Sequence, residues 1–207
     1  MGGSNEENMK ILIATGNEGK KKEMLEAFRV HGFDDVEILS LKDVPHVTGD
    51  VEETGKTFEE NALLKAKFFG DQLGIPTIGE DSGLILSAFP EKFGLRTRRE
   101  LNAKDDIEWM ERFLELMDGV EERAATFFSA TGFYDPISKI EASFLGQTEG
   151  SILDMPQTEF EPGIPVSSIF LANGQDRVYS ALSREEKNAI SHRGKSVKQL
   201  VEFLRQL

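Results

Sequence analysis

The stretch ILIATGNEGKKKEMLEAF, residues 11–28, decides how this chain folds. Ile11-Leu12-Ile13-Ala14 is a short unbroken apolar run, the pattern of a buried strand. It stops at Thr15-Gly16-Asn17, after which Met24, Leu25 and Phe28 recur at helical spacing among Lys and Glu. A strand that feeds a helix through a glycine-bearing turn aims unpaired N–H groups, and the positive end of the helix dipole, past the strand end. With Lys20 nearby, those donors make a seat for phosphate. The same letters also fit an ordinary strand-to-helix turn, with Asn17 as N-cap, Gly16 and Gly19 for backbone freedom and the lysines in solvent. The string is not a Walker A loop: only Asn17 and Glu18 separate its glycines, and Lys21 follows Lys20.

Outward from this segment, residues 36–39 read as a short strand and residues 43–57 as loop, with Pro45, Gly49 and Gly55. Thr57 and Glu60 have the spacing of a capping box. They open a helix whose Phe58, Ala62, Ala66 and Phe69 share one face. Gly74-Ile75-Pro76 ends it. Thr77-Ile78 then starts a short strand running into Gly79-Glu80-Asp81-Ser82-Gly83, which puts two adjacent carboxylates just past the strand, and residues 84–88 continue extended. A helix is predicted over 105–117, with Trp109, Phe113 and Leu116 as core candidates. Residues 124–134 and 139–145 read as a hairpin joined by Asp135-Pro136-Ile137-Ser138. Residues 151–153 are a further strand, and residues 155–175, rich in Pro and Gly, are mostly loop. Val197, Leu200, Val201 and Leu204 mark a closing helix. No repeat or long linker divides residues 9–207, so the pattern predicts one α/β domain with the hairpin forming a second lobe. Residues 1–8, MGGSNEEN, are expected to be a flexible tail, since they lack the apolar core of a signal peptide.

The chain has 207 residues and a formal net charge of −13. That balance argues against a general nucleic-acid binder, which needs a basic face to release counterions. It is compatible with a small anionic ligand held in a locally positive cleft. The absence of cysteine removes disulfides, zinc–thiolate sites and a cysteine nucleophile. No apolar run approaches the ~20 residues of a membrane span. A soluble, cytoplasmic protein without membrane contact is the expectation.

Three clusters join the first segment. Glu52-Glu53-Thr54-Gly55 is followed by Glu60-Asn61 and Lys65; Glu80-Asp81-Ser82-Gly83 carries paired carboxylates; Glu186-Lys187-Asn188 and Ser191-His192-Arg193-Gly194-Lys195 gather cations ahead of the last helix. Taken singly, each is the kind of solvated loop or turn found on any surface. Together, hard oxygen donors suit Mg²⁺, which commonly bridges protein carboxylates and substrate phosphates. Cations and a helix N-terminus suit the remaining phosphate charge. The combination points to metal-assisted hydrolysis of a nucleotide.

In order, ATGNEGK (14–20), EETGKTFEENALLKA (52–66), EDSGL (80–84) and EEKNAISHRGK (185–195) closely resemble the Ham1-type inosine/xanthosine triphosphate pyrophosphatase family. The resemblance implies an elongated α/β fold, with a mixed central sheet flanked by helices and two lobes around an active cleft, usually in a homodimer. It implies Mg²⁺-dependent hydrolysis of nucleoside triphosphates such as ITP, dITP and XTP to the monophosphate and pyrophosphate. Thr15, Gly16, Asn17, Glu18, Gly19 and Lys20 would hold the triphosphate. Asp81 would be the general base, and Glu80 or Asp81, with Glu52 or Glu53, would hold the metal. Lys65 and Ser82 match substrate-contacting positions, and Lys187, His192 and Arg193 match phosphate and base contacts. One stretch departs from the family pattern. Where the family carries Gly-Phe-Gly-Tyr-Asp-Pro, with a Phe that stacks on the purine and an Asp that shapes the base pocket, this chain reads Gly163-Ile164-Pro165-Val166-Ser167-Ser168. Phe160 or Phe170 is the expected substitute ring. The departure leaves two further readings: the same hydrolysis with a shifted base preference, or a nucleotide binder without turnover.

Overall fold

The computed structural model describes residues 10–33, 36–47, 49 and 51–207. The expected tail at residues 1–8 lies outside them. Strand β1 (Lys10–Ala14) runs into helix α1 (Glu18–Val30), whose N-cap is Asn17; strand β2 (Glu37–Ser40) follows. Helix α2 (Phe58–Leu73) leads to strand β3 (Thr77–Leu86), and a short helix α3 (Thr97–Glu100) precedes helix α4 (Asp106–Met117). Strands β4 (Ala124–Tyr134), β5 (Glu141–Ile152) and β6 (Phe170–Ala172) come next, then helices α5 (Arg184–Ile190) and α6 (His192–Leu204). One mixed sheet joins the strands in the order β2-β1-β3-β4-β5-β6. Pairings β1–β2 and β1–β3 are parallel, and the others antiparallel. Among the described residues no helix is long and apolar enough to cross a membrane.

The apolar run of β1 is continuous because helices cover both its faces. Ile11 and Ile13 pack with Met24 and Phe28 of α1 and with Val197 and Leu200 of α6. Leu12 and Ala14 pack with Phe69 of α2 on the other face. A separate core around Trp109 and Phe113 fills the far half of the sheet, beneath the ends of β3, β4 and β5.

Several expectations need correcting. The two carboxylates Glu80 and Asp81 sit inside a ten-residue strand, not past a short one. The expected strands at 139–145 and 151–153 are replaced by one, β5 over Glu141–Ile152, because its partner β4 is long enough to pair with it from Tyr134 to Ala124. The loop over 155–175 contains a 3₁₀ turn at Pro165–Ser168 and the edge strand β6. Thr57 caps α2 by accepting from Glu60 N–H, but Glu60 returns its bond to the Lys56 N–H, one residue before the cap. The cluster Ser191–Lys195 caps and opens α6 rather than preceding it, and Lys187 stands on α5, a helix the periodicity did not reveal.

Glycine decides how closely α2 lies on the sheet. A Cβ on Gly79 would collide with the Ala62 carbonyl oxygen and come within 2.8 Å of Ala66 N; one on Gly132 would come within 2.7 Å of Ala62 and Leu63 backbone atoms. Gly79→Ala is therefore expected to destabilise the fold by about 1–3 kcal/mol through overpacking. A urea midpoint equal to that of the parent protein would show that α2 is free to lift without cost.

Candidate active site

Strand β1 ends opposite Gly79, so Glu80, Asp81 and Ser82 extend beyond it and pair only with β4. A crevice past the carboxyl end of a strand, where its neighbour runs on, is where α/β sheets place ligands. Successive strand residues point to opposite faces, and here the two carboxylates are separated in that way. Glu80 and Ser82 face α1 and α6; Asp81 faces α2.

On the α6 side, Glu80 is buried to 2% exposure. Lys20 Nζ lies 2.9 Å from its Oε2, Arg193 Nη2 lies 3.0 Å from its Oε1, and the Ser129 hydroxyl donates to Oε1 at 3.1 Å. Burial alone would push this carboxyl up, but Lys20 and then Arg193 hold it well below the usual carboxylate range. Arg193 is itself 2% exposed and reaches Ser82 Oγ at 3.1 Å. Its other side is met by Glu23 of α1, which also pairs with Lys187 of α5. Burial opposes ionisation of Glu23, while Arg193 and Lys187 draw its pKa down to about 2. Two carboxylates thus share three cations, leaving a positive surplus beside the crevice.

On the α2 side, Asp81 accepts from Asn61 Nδ2 at 3.1 Å and from Lys65 Nζ at 3.3 Å. Burial pushes its pKa up, against the pull of Lys65 and Lys20. Lys65 also pairs with Glu53 at 2.5 Å and donates to the Glu80 carbonyl at 3.1 Å. Asn61 accepts from the Gly55 N–H at 2.8 Å, which ties the acidic loop to Asp81.

Among the described residues, no three His, Asp or Glu side chains come together as a metal-holding group. The expected set of Glu52, Glu53, Glu80 and Asp81 is not gathered, because strand alternation sends Glu80 and Asp81 apart and Glu52 is exposed. Glu53 and Asp81 do converge, on the single ammonium of Lys65. Two hard oxygen donors around one cation position fit Mg²⁺, which binds through one or two carboxylates together with substrate phosphates.

A cavity of about 190 Å³ lies on the α6 side. Of the sequence candidates, Asn17, Lys20, Ser82, Lys187, His192 and Arg193 line it. Thr15, Gly16, Glu18 and Gly19 do not: Glu18 is exposed and ion-paired with Lys42, and Gly19 is packed under the Pro162 carbonyl. Lys65 and Asp81 stand across β3 from it. The cavity's apolar end includes Ile164, Val166, Trp109, Phe127 and Tyr179. Phe127, not Phe160 or Phe170, is the phenylalanine that lines the cavity, its ring stacked on the His192 imidazole at 4.8 Å and 12°. Phe170 is fully buried and meets Phe127 edge-on. Burial, then Arg193, keeps the His192 pKa well below its ordinary value, so the imidazole is neutral.

The turn at 163–168 is pinned from two helices. Asn17 Nδ2 donates to the Gly163 carbonyl at 3.1 Å, and Asp106 Oδ2 accepts from the Gly163 N–H at 2.6 Å. Gly163 has φ +86°, a left-handed conformation that glycine adopts without strain. Sequence reasoning missed Glu23, Asp106, Phe127 and Tyr179, placed Asn61 in a cluster without a role, and took Trp109 for core alone. Glu23 alone carried a local signal, one helical turn after Lys20.

A family model described as the Ham1 family matches residues 11–203. A Bacillus cereus protein named dITP/XTP pyrophosphatase is 39% identical over 201 residues, covering 95% of each chain. An Aquifex aeolicus protein of the same name is 34% identical over 207 residues, covering 95% of this chain and 97% of that one. The solved Ham1 protein of Staphylococcus aureus aligns with TM-score 0.77 at 31% identity, covering 95% of this chain and 98% of that one. A HAM1 protein from Coxiella burnetii aligns with TM-score 0.79 at 29% identity, covering 96% and 100%.

The Glu23 carboxyl binds fewer protons folded than unfolded between pH 4.5 and about 2. Its contribution to stability is complete above pH 4.5 and falls away as the pH drops toward 2. Glu80, also held low, adds to the same loss. Urea unfolding between pH 2 and 6 should show this slope, and Glu23→Gln should flatten it. An unchanged slope in the variant would remove Glu23 from the account.

Proposed function

The chain belongs to the Ham1 family, and on that basis we propose that it is a nucleoside triphosphate pyrophosphatase converting ITP, dITP and XTP to the monophosphate and pyrophosphate. The observation that carries this reading is the division at Glu80-Asp81. One strand position organises a cation clamp, and the next presents a carboxylate on the opposite face.

In the proposed reaction, Lys20, Lys187 and Arg193 hold the phosphate chain, with the backbone of residues 15–20 at the start of α1 and the Ser82 hydroxyl beside it. The base enters the apolar end of the cavity against His192 and Phe127. Asp81 takes a proton from a water oxygen, which bonds to the α-phosphorus. The bond from the α-phosphorus to the bridging oxygen breaks, and pyrophosphate leaves with that electron pair. Burial opposes ionisation of Asp81 and a neighbouring Mg²⁺ would favour it, leaving a carboxylate able to accept the proton, and the fixed cations stabilise charge growing on the leaving group. Mg²⁺ is the cofactor in this reading: Asp81 and Glu53 would hold it, and it would supply charge neutralisation on the phosphates. Glu80 supports the site by fixing Lys20 and Arg193, and Lys65, whose ammonium stands between Glu53 and Asp81, would turn to the phosphates where the metal takes that place.

Residues 9–207 act as one catalytic unit in this reading, in a cytoplasmic homodimer that works on free nucleotides, away from nucleic acid and membranes. The net charge of −13 supports the last point. A second reading keeps the chemistry and shifts the base, because Ile164 and Ser167 stand where the family's Phe and Asp are expected.

The direct test is product analysis with Mg²⁺ across ITP, XTP, dITP, GTP, ATP, CTP and UTP. Pyrophosphate release preferring ITP and XTP is expected, with Asp81→Asn about 10²–10⁴-fold slower at kcat. Preference for another base would establish the second reading. Release of orthophosphate, or no turnover of any triphosphate, would sink the proposal.

A further inference from the structure

Glu53, one of the two carboxylates assigned to the metal, divides its oxygens between two cations. Oε1 lies 2.5 Å from Lys65 Nζ, and Oε2 lies 2.9 Å from Arg99 Nη2. Lys65 Nζ is also 3.3 Å from Asp81 Oδ1, so Oε1 is the Glu53 oxygen on the Asp81 side. Arg99, on α3, has no part in the reaction described above.

The chain around Glu53 does little to fix it. The residue lies in the loop ahead of α2, and among the described residues its backbone makes no hydrogen bond. Asn61 braces this loop two residues further on, accepting from the Gly55 N–H while donating to Asp81. The Glu53 carboxylate itself is placed, among the described residues, by Lys65 and Arg99. Lys65 would leave when a metal takes its place, and Arg99 would then be the cation that remains.

Helix α3 is short but firmly mounted. The Thr97 hydroxyl accepts from the Leu84 N–H at 2.8 Å and donates to the Gly94 carbonyl at 2.7 Å. The Gly94 N–H in turn donates to the Leu84 carbonyl at 2.8 Å. A Cβ on Gly83 would collide with the Gly94 carbonyl oxygen, so the turn that opens α3 lies directly on β3. Past the other end, the Arg112 guanidinium of α4 donates to the Leu101 and Asn102 carbonyls at 2.7 and 3.1 Å. Leu84 is three residues beyond Asp81 on the same strand. Arg99 and Asp81 are therefore carried by one rigid element, and Glu53 is referred to it through Arg99.

We propose that Arg99 is a positioning residue for the metal: its guanidinium, braced on β3 through α3, holds Oε2 of Glu53 so that Oε1 stays directed toward Asp81 once Lys65 has left. A ligating carboxylate ordinarily has its orientation set by such an outer partner. Stability gives the pair little purpose, since the Arg99 side chain is 68% exposed and exposed ion pairs contribute little to folding. That exposure also screens the repulsion between the guanidinium and a metal ion, and the two would use different oxygens of Glu53.

This inference rests on the reading of Glu53 and Asp81 as metal holders, and its test separates the two. Mn²⁺ is the probe, and its uptake is followed by loss of the free-ion EPR signal. The protein is saturated with the α,β-methylene analogue of ITP, in which carbon replaces the bridging oxygen that would leave, and the analogue alone is the blank. Parent protein, Arg99→Gln, Arg99→Lys and Glu53→Gln are compared. Arg99→Gln is expected to melt like the parent and to bind Mn²⁺ about tenfold more weakly. Arg99→Lys should lose less, because an ammonium still meets one oxygen but without the fixed fork of a guanidinium. In turnover, the loss caused by Arg99→Gln should be recovered by raising Mg²⁺. Unchanged Mn²⁺ uptake in Arg99→Gln would reduce the pair to a surface contact, and tighter uptake would make Arg99 a competitor of the metal. Either result overturns the proposal, as does a turnover loss that added Mg²⁺ does not relieve. No uptake by the parent beyond the blank, or uptake unaffected by Glu53→Gln, would strike the metal assignment itself and this inference with it.

Discussion

Arg193 is a guanidinium taken almost wholly out of water and held between two carboxylates, Glu80 and Glu23. The site is organised around that constraint. An isolated charge at this depth would be very costly, and truncating one partner of a buried pair typically costs about 3–5 kcal/mol because the other is left uncompensated. The partners come from β3 and α1, while Lys187 brings in α5 and Arg193 itself belongs to α6. Four elements must therefore arrive together before any of these charges is satisfied. Once they have, Lys20, Lys187 and Arg193 are fixed in place and outnumber their anions. A chain with strong overall negative charge thereby acquires a local positive surface.

Alternation along β3 couples this clamp to the α2 side of the site. Glu80 and Asp81 are neighbours in sequence, so the spacing between the clamp and the Asp81 carboxylate is set by covalent geometry and varies little. What differs is environment. Glu80 is surrounded by cations and stays ionised, while burial raises Asp81 against weaker opposition from Lys65. Pushing the acidities of two adjacent carboxyls apart gives them separate roles. Gly79 contributes by letting α2 approach closely enough for Asn61 and Lys65 to reach Asp81.

The apolar end of the cavity is built from elements distant in sequence, and pattern reading does least well there. Trp109 has the periodicity of a core residue and does pack as one, so nothing in the local sequence marks it as part of a cavity wall. Phe127 lies on a strand with further aromatics around it, and only the crossing of β4 by α6 selects it to stack on His192. Phe160 and Phe170, closer in sequence to the altered loop, do not line the cavity. Nearness along the chain was a poor guide where the fold brings in a residue some forty positions away.

By itself the sequence determined the strand-to-helix unit of residues 11–28, the hairpin strand at 124–134, the closing helix and the order of the motifs that mark the family. These depend on local periodicity, caps and turns, which act over a few residues and are written in adjacent letters. It also supplied the chemistry of the site: carboxylates at 80 and 81, and cations at 20, 65, 187 and 193. The tertiary structure alone decided which of these meet. It replaced the expected strands at 139–145 and 151–153 with one, because β4 could pair the whole length. It separated Glu80 from Asp81, because their strand continues through them. It brought Glu23 to Arg193 and Asn61 to Asp81, contacts set by where helices α1 and α2 come to rest. Burial, the satisfaction of charge and the lining of a cavity are sums over neighbours from several elements, so they exist only once the chain has closed on itself.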